Sequence, residues 1–379
     1  MPKALLSLLV IAFGVLGSQR LVAQSHGVYF YADALGHSDI SSVEQVSDLE
    51  ELDGEFHRGE FVFSKSSAGF GYQLTLDKTR IGLGAFTRFI GVFDFNEDAS
   101  EVFSTAMNRG DLEYGRRYEL DFEFYKANAQ GVELFFDRQA SKKLRYSAKL
   151  QAFSASGLLD GRLETFIVDE GNITSVGGYE FYYNSDPILK RRVTPSKGKG
   201  ASIDVAVHYA FSDKVMLDLS VEDAYSHIEW PDAPITIANI NAQSTALVDK
   251  RKIIQKASIS GREFYEDFEN EIPSTYRAQV SYRRDQRKWY ASGVKAANFS
   301  DLHVGFVDQR GGFDYFLGAS PLYGNIEMGI QLGKYRASLA LEDIDVFKTD
   351  YFVLNLSRSF DLGISRFDSN LTNDHLEDY

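Results

Sequence analysis

From residue 201 the side chains alternate one by one. Ile203, Val205, Val207, Tyr209 and Phe211 fall on one face, and Ser202, Asp204 and His208 on the other. Successive side chains of a β-strand point to opposite faces, so this spacing predicts a strand with one apolar and one polar side. After Ser212-Asp213-Lys214 the alternation resumes, with Val215, Leu217, Leu219 and Val221 against Asp218, Ser220 and Glu222. A polar turn between two alternating runs predicts a hairpin.

The same unit fills most of the chain. Runs at 28–35, 59–64, 69–76 and 80–93 come first. In the last of them Gly82 and Gly84 face away from Ile81, Leu83, Ala85, Thr87 and Phe89, and a missing side chain there permits close approach. Further on, Leu120, Phe122 and Phe124 oppose Glu119, Asp121 and Glu123; after 132–136, Leu144, Tyr146, Ala148 and Leu150 oppose Arg145, Ser147, Lys149 and Gln151. Less regular strands are expected at 161–169 and 174–183, then a long exposed loop at 186–199 containing Pro187 and Pro195. Beyond the hairpin come 235–243, 253–262, an acidic loop at 263–273, and strands at 275–283, 288–296, 302–307, 313–319, 326–332, 335–342 and 351–360. The expected total is roughly 16 to 18 strands. One stretch breaks the pattern. Ala99, Val102, Phe103, Ala106 and Met107 recur at helical spacing, predicting a short helix within 96–111 that either plugs a barrel or lies over one rim.

Composition narrows the class. The 379 residues contain no cysteine, which rules out a disulfide framework, cysteine-ligated zinc and thiol nucleophiles. With 54 acidic and 40 basic residues the net charge is −14, so no nucleic-acid partner is expected. Lys3, an apolar run over 4–16 and small residues near Ala23-Gln24 have the layout of a cleaved secretory signal peptide over 1–24; a retained anchor is the other reading. The mature part, 25–379, is expected to be a single barrel domain, with 361–379 either a tail or an extension of the last strand.

A soluble sandwich shows the same alternation, so other features must decide. The export signal is one. Strands of about nine to eleven residues, the length that crosses a bilayer at a tilt, are another. Tyr209, Phe211, Tyr276, Tyr282, Trp289, Tyr290, Tyr335, Tyr351 and Phe360 near strand ends suit interfacial girdles. Short turns alternate with a few long charged loops. A sheet in lipid has to close, because unpaired backbone groups cannot face hydrocarbon. The expectation is an all-β, closed antiparallel transmembrane barrel. In this pattern the chain resembles the bacterial outer-membrane β-barrel class over nearly all of its mature length. Phe352, Leu354, Leu356, Arg358 and Phe360 look like the closing strand of that class, although residues 361–379 follow it. The resemblance implies the outer membrane as location, lipid and lipopolysaccharide around the wall, and the barrel assembly machinery as a partner.

If the apolar faces meet lipid, the polar faces line the interior. That places Glu119, Asp121, Glu123, Arg145, Lys149, Asp204, His208, Asp218, Glu222, Arg277 and Arg336 there as pore-lining candidates. Charges of both signs suit a water-filled pore, and equally a packed interior in which they pair. Enzyme chemistry is not expected. His26, His37, His57, His208, His227, His303 and His375 are scattered, none in a metal-binding HExxH spacing, and no GxSxG elbow or glycine-rich phosphate loop occurs. His208 shares a face with Ser202 and Asp204, but along one strand the three are too extended for a relay. No metal or cofactor is implied. The acidic stretches at 48–55 and 263–271 lack calcium-loop spacing and read as solvated surface. Lys190, Arg191, Arg192, Lys197 and Lys199 read as a soluble loop, with lipopolysaccharide phosphates as the other use. The expected function is a passive pore or transport-related channel for small solutes. The alternative is a non-conducting structural or assembly barrel that works through loop contacts with envelope partners.

Overall fold

A computed structural model describes residues 25–41, 56–108, 110–171, 173–186, 191–245, 254–310, 313–332, 335–342 and 349–361. The expected signal peptide, the acidic stretch 48–55, Lys190 and the segment after 361 lie outside them.

Alternation becomes strand almost everywhere it was expected. The strands are β1 (Ser25–Ser38), β2 (Phe61–Leu76), β3 (Thr79–Phe95), β4 (Arg117–Gln139), β5 (Leu144–Asp169), β6 (Ile173–Tyr183), β7 (Gly198–Ala210) and β8 (Val215–Thr245). They continue as β9 (Ile254–Asn270), β10 (Thr275–Arg284), β11 (Arg287–Ala296), β12 (Phe299–Arg310), β13 (Phe313–Ala319), β14 (Ile326–Leu332), β15 (Tyr335–Leu341) and β16 (Tyr351–Asp361). The one helix among the described residues, α1 (Glu97–Met107), follows β3.

All pairings are antiparallel, and β1 pairs with both β2 and β16. Following the ladder through β5, β7, β8 and β10 back to β16 closes a ring of fourteen strands. The remaining two of the sixteen, β6 and β9, pair outside that ring. They do so because β5 and β8, at 26 and 31 residues, run far past the bilayer. The lower part of β5 pairs with β7 from Leu144 to Ala155, and its upper part pairs with β6 from Leu159 to Asp169. β8 makes the same change of partner, and β9 lies along its upper half. One wall of the barrel therefore rises beyond the rim as an extra sheet.

Several expected breaks are not breaks. The pairs of runs at 59–64 and 69–76, 118–124 and 132–136, 144–151 and 161–169, and 215–225 and 235–243 each fall in one strand, and the acidic stretch 263–270 belongs to β9. Bulges carry the chain through. Asp223 and Asp232 adopt φ 52 and 47, which aspartate tolerates better than most residues. Glycine inside a strand here makes room for a ring, and a Cβ at Gly69 would lie 2.6 Å from the Tyr31 ring.

The outward face is apolar and exposed. Phe70, Leu83, Val132, Val207, Leu219, Val280, Val304, Leu317 and Met328 all stand open to the surroundings. A closed sheet wearing such a band is the architecture of a membrane-spanning barrel. Tyr276, Tyr282, Trp289, Tyr315 and Tyr335 are exposed within it. The helix is not a plug. Asn96 caps it by accepting from the Ala99 N–H (3.0 Å), and Ala99 and Phe103 pack on Phe93, Phe95, Leu120 and Phe122, whose strand face continues the outward one. It lies over the rim.

Candidate functional site

The interior is built from single charges set into otherwise small or aromatic strand faces. Lys65 on β2 and Arg88 on β3 both reach Asp223, at 3.1 and 2.5 Å. The bulge in β8 turns the Asp223 side chain inward, where it is completely buried. Lys65 also meets Glu222 at 2.8 Å and donates to the Thr275 hydroxyl at 3.0 Å. Arg88 donates to Gln151 (2.7 Å) and Ser202 (3.3 Å). Glu222 pairs with Arg277 (3.3 Å), and Lys149 with Asp204 (2.9 Å), which in turn accepts the Asp223 N–H. Desolvated charges persist only when paired and hydrogen-bonded, and this belt meets that condition across the lumen, from β2 and β3 to β7, β8 and β10.

Beside the belt sits Glu133 on β4, only 1 % exposed. It accepts hydrogen bonds from Tyr29 (2.9 Å) and Tyr31 (2.8 Å) on β1. The rings reach it because the facing strand carries glycine: a Cβ at Gly84 would lie 2.3 Å from the Tyr29 hydroxyl, and one at Gly82 2.0 Å from the Phe135 ring. The close approach expected at these two glycines is what the fold uses.

Toward the long-loop end the interior becomes apolar. Phe86, Ile90, Phe153, Leu158, Ile228 and Trp230 form one buried cluster, and Leu35, Phe61, Phe63, Phe299 and Tyr351 form a second across the lumen. The connection from β9 to β10 folds into the first cluster, burying Ile272 to 3 % exposure. Ser226 holds it in place, accepting the Ile272 N–H (2.7 Å) and donating to its carbonyl (3.1 Å). Trp230 donates to Asn270 (2.9 Å), and Asn270 donates to Asp160 (2.7 Å) on the rising wall. Burial pushes the Asp160 carboxyl up to about 6, with the Asn270 bond opposing and nearby Glu123 adding to the shift. Below the apolar layer lies a cavity of 190 Å³, lined among others by Asp33, Lys65, Lys149, Glu222, Arg277 and His303.

The eleven expected lining residues fall into two groups. Arg145, Lys149, Asp204, His208, Asp218, Glu222, Arg277 and Arg336 turn inward on barrel strands. Arg145 is held by Asp137 (2.5 Å), His208 by Asp218 (2.5 Å), and Arg336 lies over the Phe316 ring. Glu119, Asp121 and Glu123 share the inward face of β4, but sit where this 23-residue strand has passed the rim. They are exposed there and meet Arg117 and Arg162. Of the basic loop, Arg191 pairs with Asp186 (2.5 Å) and with Glu263, while Arg192, Lys197 and Lys199 are exposed.

Sequence reasoning missed Lys65, Arg88, Asp223 and Glu133. Asp223 carried a signal: it stands in the apolar phase between Val221 and Tyr225, where only a bulge can turn it inward. Asp301 was missed as well, and Tyr351, expected in the interfacial girdle, instead turns inward; the two meet His303 at 2.6 and 2.9 Å. Above the rim, ligand atoms of His227, Glu229 and Glu269 lie within 4.8 Å of one another, with both carboxylates exposed to water. Those donors suit a divalent cation by type.

No family model and no curated protein matches the chain. Solved structures do. The toluene transporter TodX of P. putida aligns at 10% identity over 91% of this chain and 92% of that one, with a TM-score of 0.38. A deltaS2S3 mutant of the TodX monoaromatic hydrocarbon channel aligns at 11% over 89% and 90%, TM-score 0.43. The CymD monoaromatic hydrocarbon channel aligns at 10% over 91% and 90%, TM-score 0.31.

Proposed function

We propose that this barrel is a transport-related channel of the outer membrane, closed at rest, which passes small polar solutes when its apolar layer parts. Supporting the reading is the stacking within the lumen: a charged belt with its own cavity lies beneath an apolar seal, and one part of that seal is a loop turn rather than wall. Ile272 is anchored by hydrogen bonds through Ser226, so it can leave without unpairing a strand. Short turns and both strand ends of the β1–β16 seam share one end, which we assign to the periplasm; the long-loop end then faces outward. Export follows removal of residues 1–24, and the wall meets lipid and lipopolysaccharide after delivery by the barrel assembly machinery.

Planar-bilayer recording of the detergent-folded protein tests this. Unsubstituted protein should be nearly silent, with rare steps. Ile272→Gly should raise open probability, and adding Glu222→Gln should change the ion selectivity of the steps. Silence from all three proteins, each folded and inserted, would refute the channel reading. A second reading then takes over: a non-conducting barrel that docks envelope partners. The observation favouring it is β9, which among the described residues pairs only with β8 and leaves its other edge free above the rim.

A further inference from the structure

We propose that the lumen holds a binding site for a divalent transition-metal ion, formed by His303 Nδ1 on β12 and the Glu327 carboxylate on β14. His303 is 8% exposed, and its two ring nitrogens are used very differently. Nε2 lies 2.6 Å from Asp301 and 2.9 Å from the Tyr351 hydroxyl. A carboxylate at that distance takes the ring N–H, which leaves the lone pair on Nδ1. That Nδ1 is buried and accepts no hydrogen bond. It faces Glu327 Oε2 at 3.8 Å, and both residues line the 190 Å³ cavity.

Three features separate this pair from an unfilled hydrogen bond. The first is the size of the gap. Two metal–ligand bonds of about 2.0–2.2 Å span it, and no hydrogen bond to Nδ1 has to be given up for them. The second is the support behind each ligand. Asp301 orients the imidazole through its far nitrogen, and Ser320 holds Asp301 at 2.5 Å. Tyr290 donates to Glu327 Oε2 at 2.8 Å. Metal-binding histidines and carboxylates carry this kind of outer hydrogen bond. The third is that space for Tyr290 is reserved, since a Cβ at Gly318 or Gly305 would fall 2.5 or 2.7 Å from its hydroxyl.

One imidazole and one carboxylate select zinc, cobalt(II) or nickel over calcium or magnesium, which prefer all-oxygen shells. The remaining coordination positions open to the cavity. Water or a donor on a passing solute would fill them. The inference does not depend on conductance: a closed barrel with this pair would bind the ion equally well.

The test is titration of the full detergent-folded chain with Zn²⁺ by calorimetry, and with Co²⁺ by visible absorption. A His227→Gln/Glu269→Gln background removes the exposed cluster. One equivalent should bind in that background, with a Co²⁺ band. His303→Gln or Glu327→Gln should abolish it, and Asp301→Asn, a positioning change, should weaken it about 10–100-fold. Absence of binding in the background protein, or unchanged affinity in folded His303→Gln, would overturn the proposal. Should those variants fail to fold, the ring ¹⁵N resonances of His303 in the background protein decide the matter. Zn²⁺ should shift its Nδ1 resonance, and an unchanged spectrum with and without metal would overturn the site.

Discussion

Asp223→Asn isolates the belt. Asparagine keeps the shape of the side chain and tolerates the φ of 52, so only the charge is lost. Lys65 keeps an anionic partner, Glu222, at 2.8 Å. Arg88 does not. Its side chain is 5% exposed, and its remaining partners Gln151 and Ser202 are neutral. Removing one member of a buried pair costs about 3–5 kcal/mol, because the orphaned charge stays desolvated. Replacing both members with neutral groups restores most of that. Asp223→Asn should therefore lower the unfolding free energy by about 3–5 kcal/mol, and Arg88→Met added to it should recover the protein to within about 1 kcal/mol. Urea unfolding in micelles measures this, with the buried Trp230 as one of two fluorescent reporters. Asp223→Asn that unfolds at the same urea concentration as the parent, or a double variant no better than the single one, would refute a belt that depends on pairing.

Gly82→Val should destabilise by about 1–3 kcal/mol because its Cβ meets the Phe135 ring, and Phe135→Ala should relieve most of the loss in the same unfolding assay. Leu219→Arg puts a charge on the lipid face, costing about 2–4 kcal/mol, and should reduce the amount of folded barrel in membranes on an immunoblot; normal levels would reverse the assignment of faces. Asp160 titrates near 6 in the fold against an ordinary 3.8, so the fold favours its protonated form. That stability is fully present below pH 4 and is lost as pH rises toward 6 and beyond. Asp160→Asn should thus raise the melting temperature at pH 7 relative to the parent and flatten its fall between pH 4 and 7, the whole effect being of order 3 kcal/mol. A parent protein equally stable at pH 4 and 7 would contradict this.

The wall was legible in the chain because lipid on one side and packing on the other force a period of two on each spanning strand. Leu217 and Leu219 or Leu144 and Tyr146 need no knowledge of their partners. The strand limits were less legible. The gaps between the runs at 59–64 and 69–76, at 118–124 and 132–136, and between the hairpin and 235–243 are bridged by β2, β4 and β8, since glycine at 69 admits a facing ring and a bulge absorbs Pro231. The belt was legible only in half. Glu222 and Arg277 sit in phase and were expected inside, but Lys65 meets Asp223 from 158 residues away, a pairing no local pattern encodes. Ile272 was hidden for a different reason: it lies beside Pro273 in an acidic surrounding that reads as surface loop, and only the cluster it enters makes it core.

The seam between β1 and β16 joins the first described strand to the last through eleven residue pairs, from Gly27 with Asp361 to His37 with Tyr351. Until β16 arrives, β1 presents an open row of amides and carbonyls that hydrocarbon will not tolerate. A chain cut short of β16 is not a smaller barrel; it is a sheet with two raw edges. Synthesis from N- to C-terminus therefore leaves closure of the ring waiting on β16. A nonsense change anywhere before residue 351 should leave no membrane-resident fragment at all, only material for proteolysis.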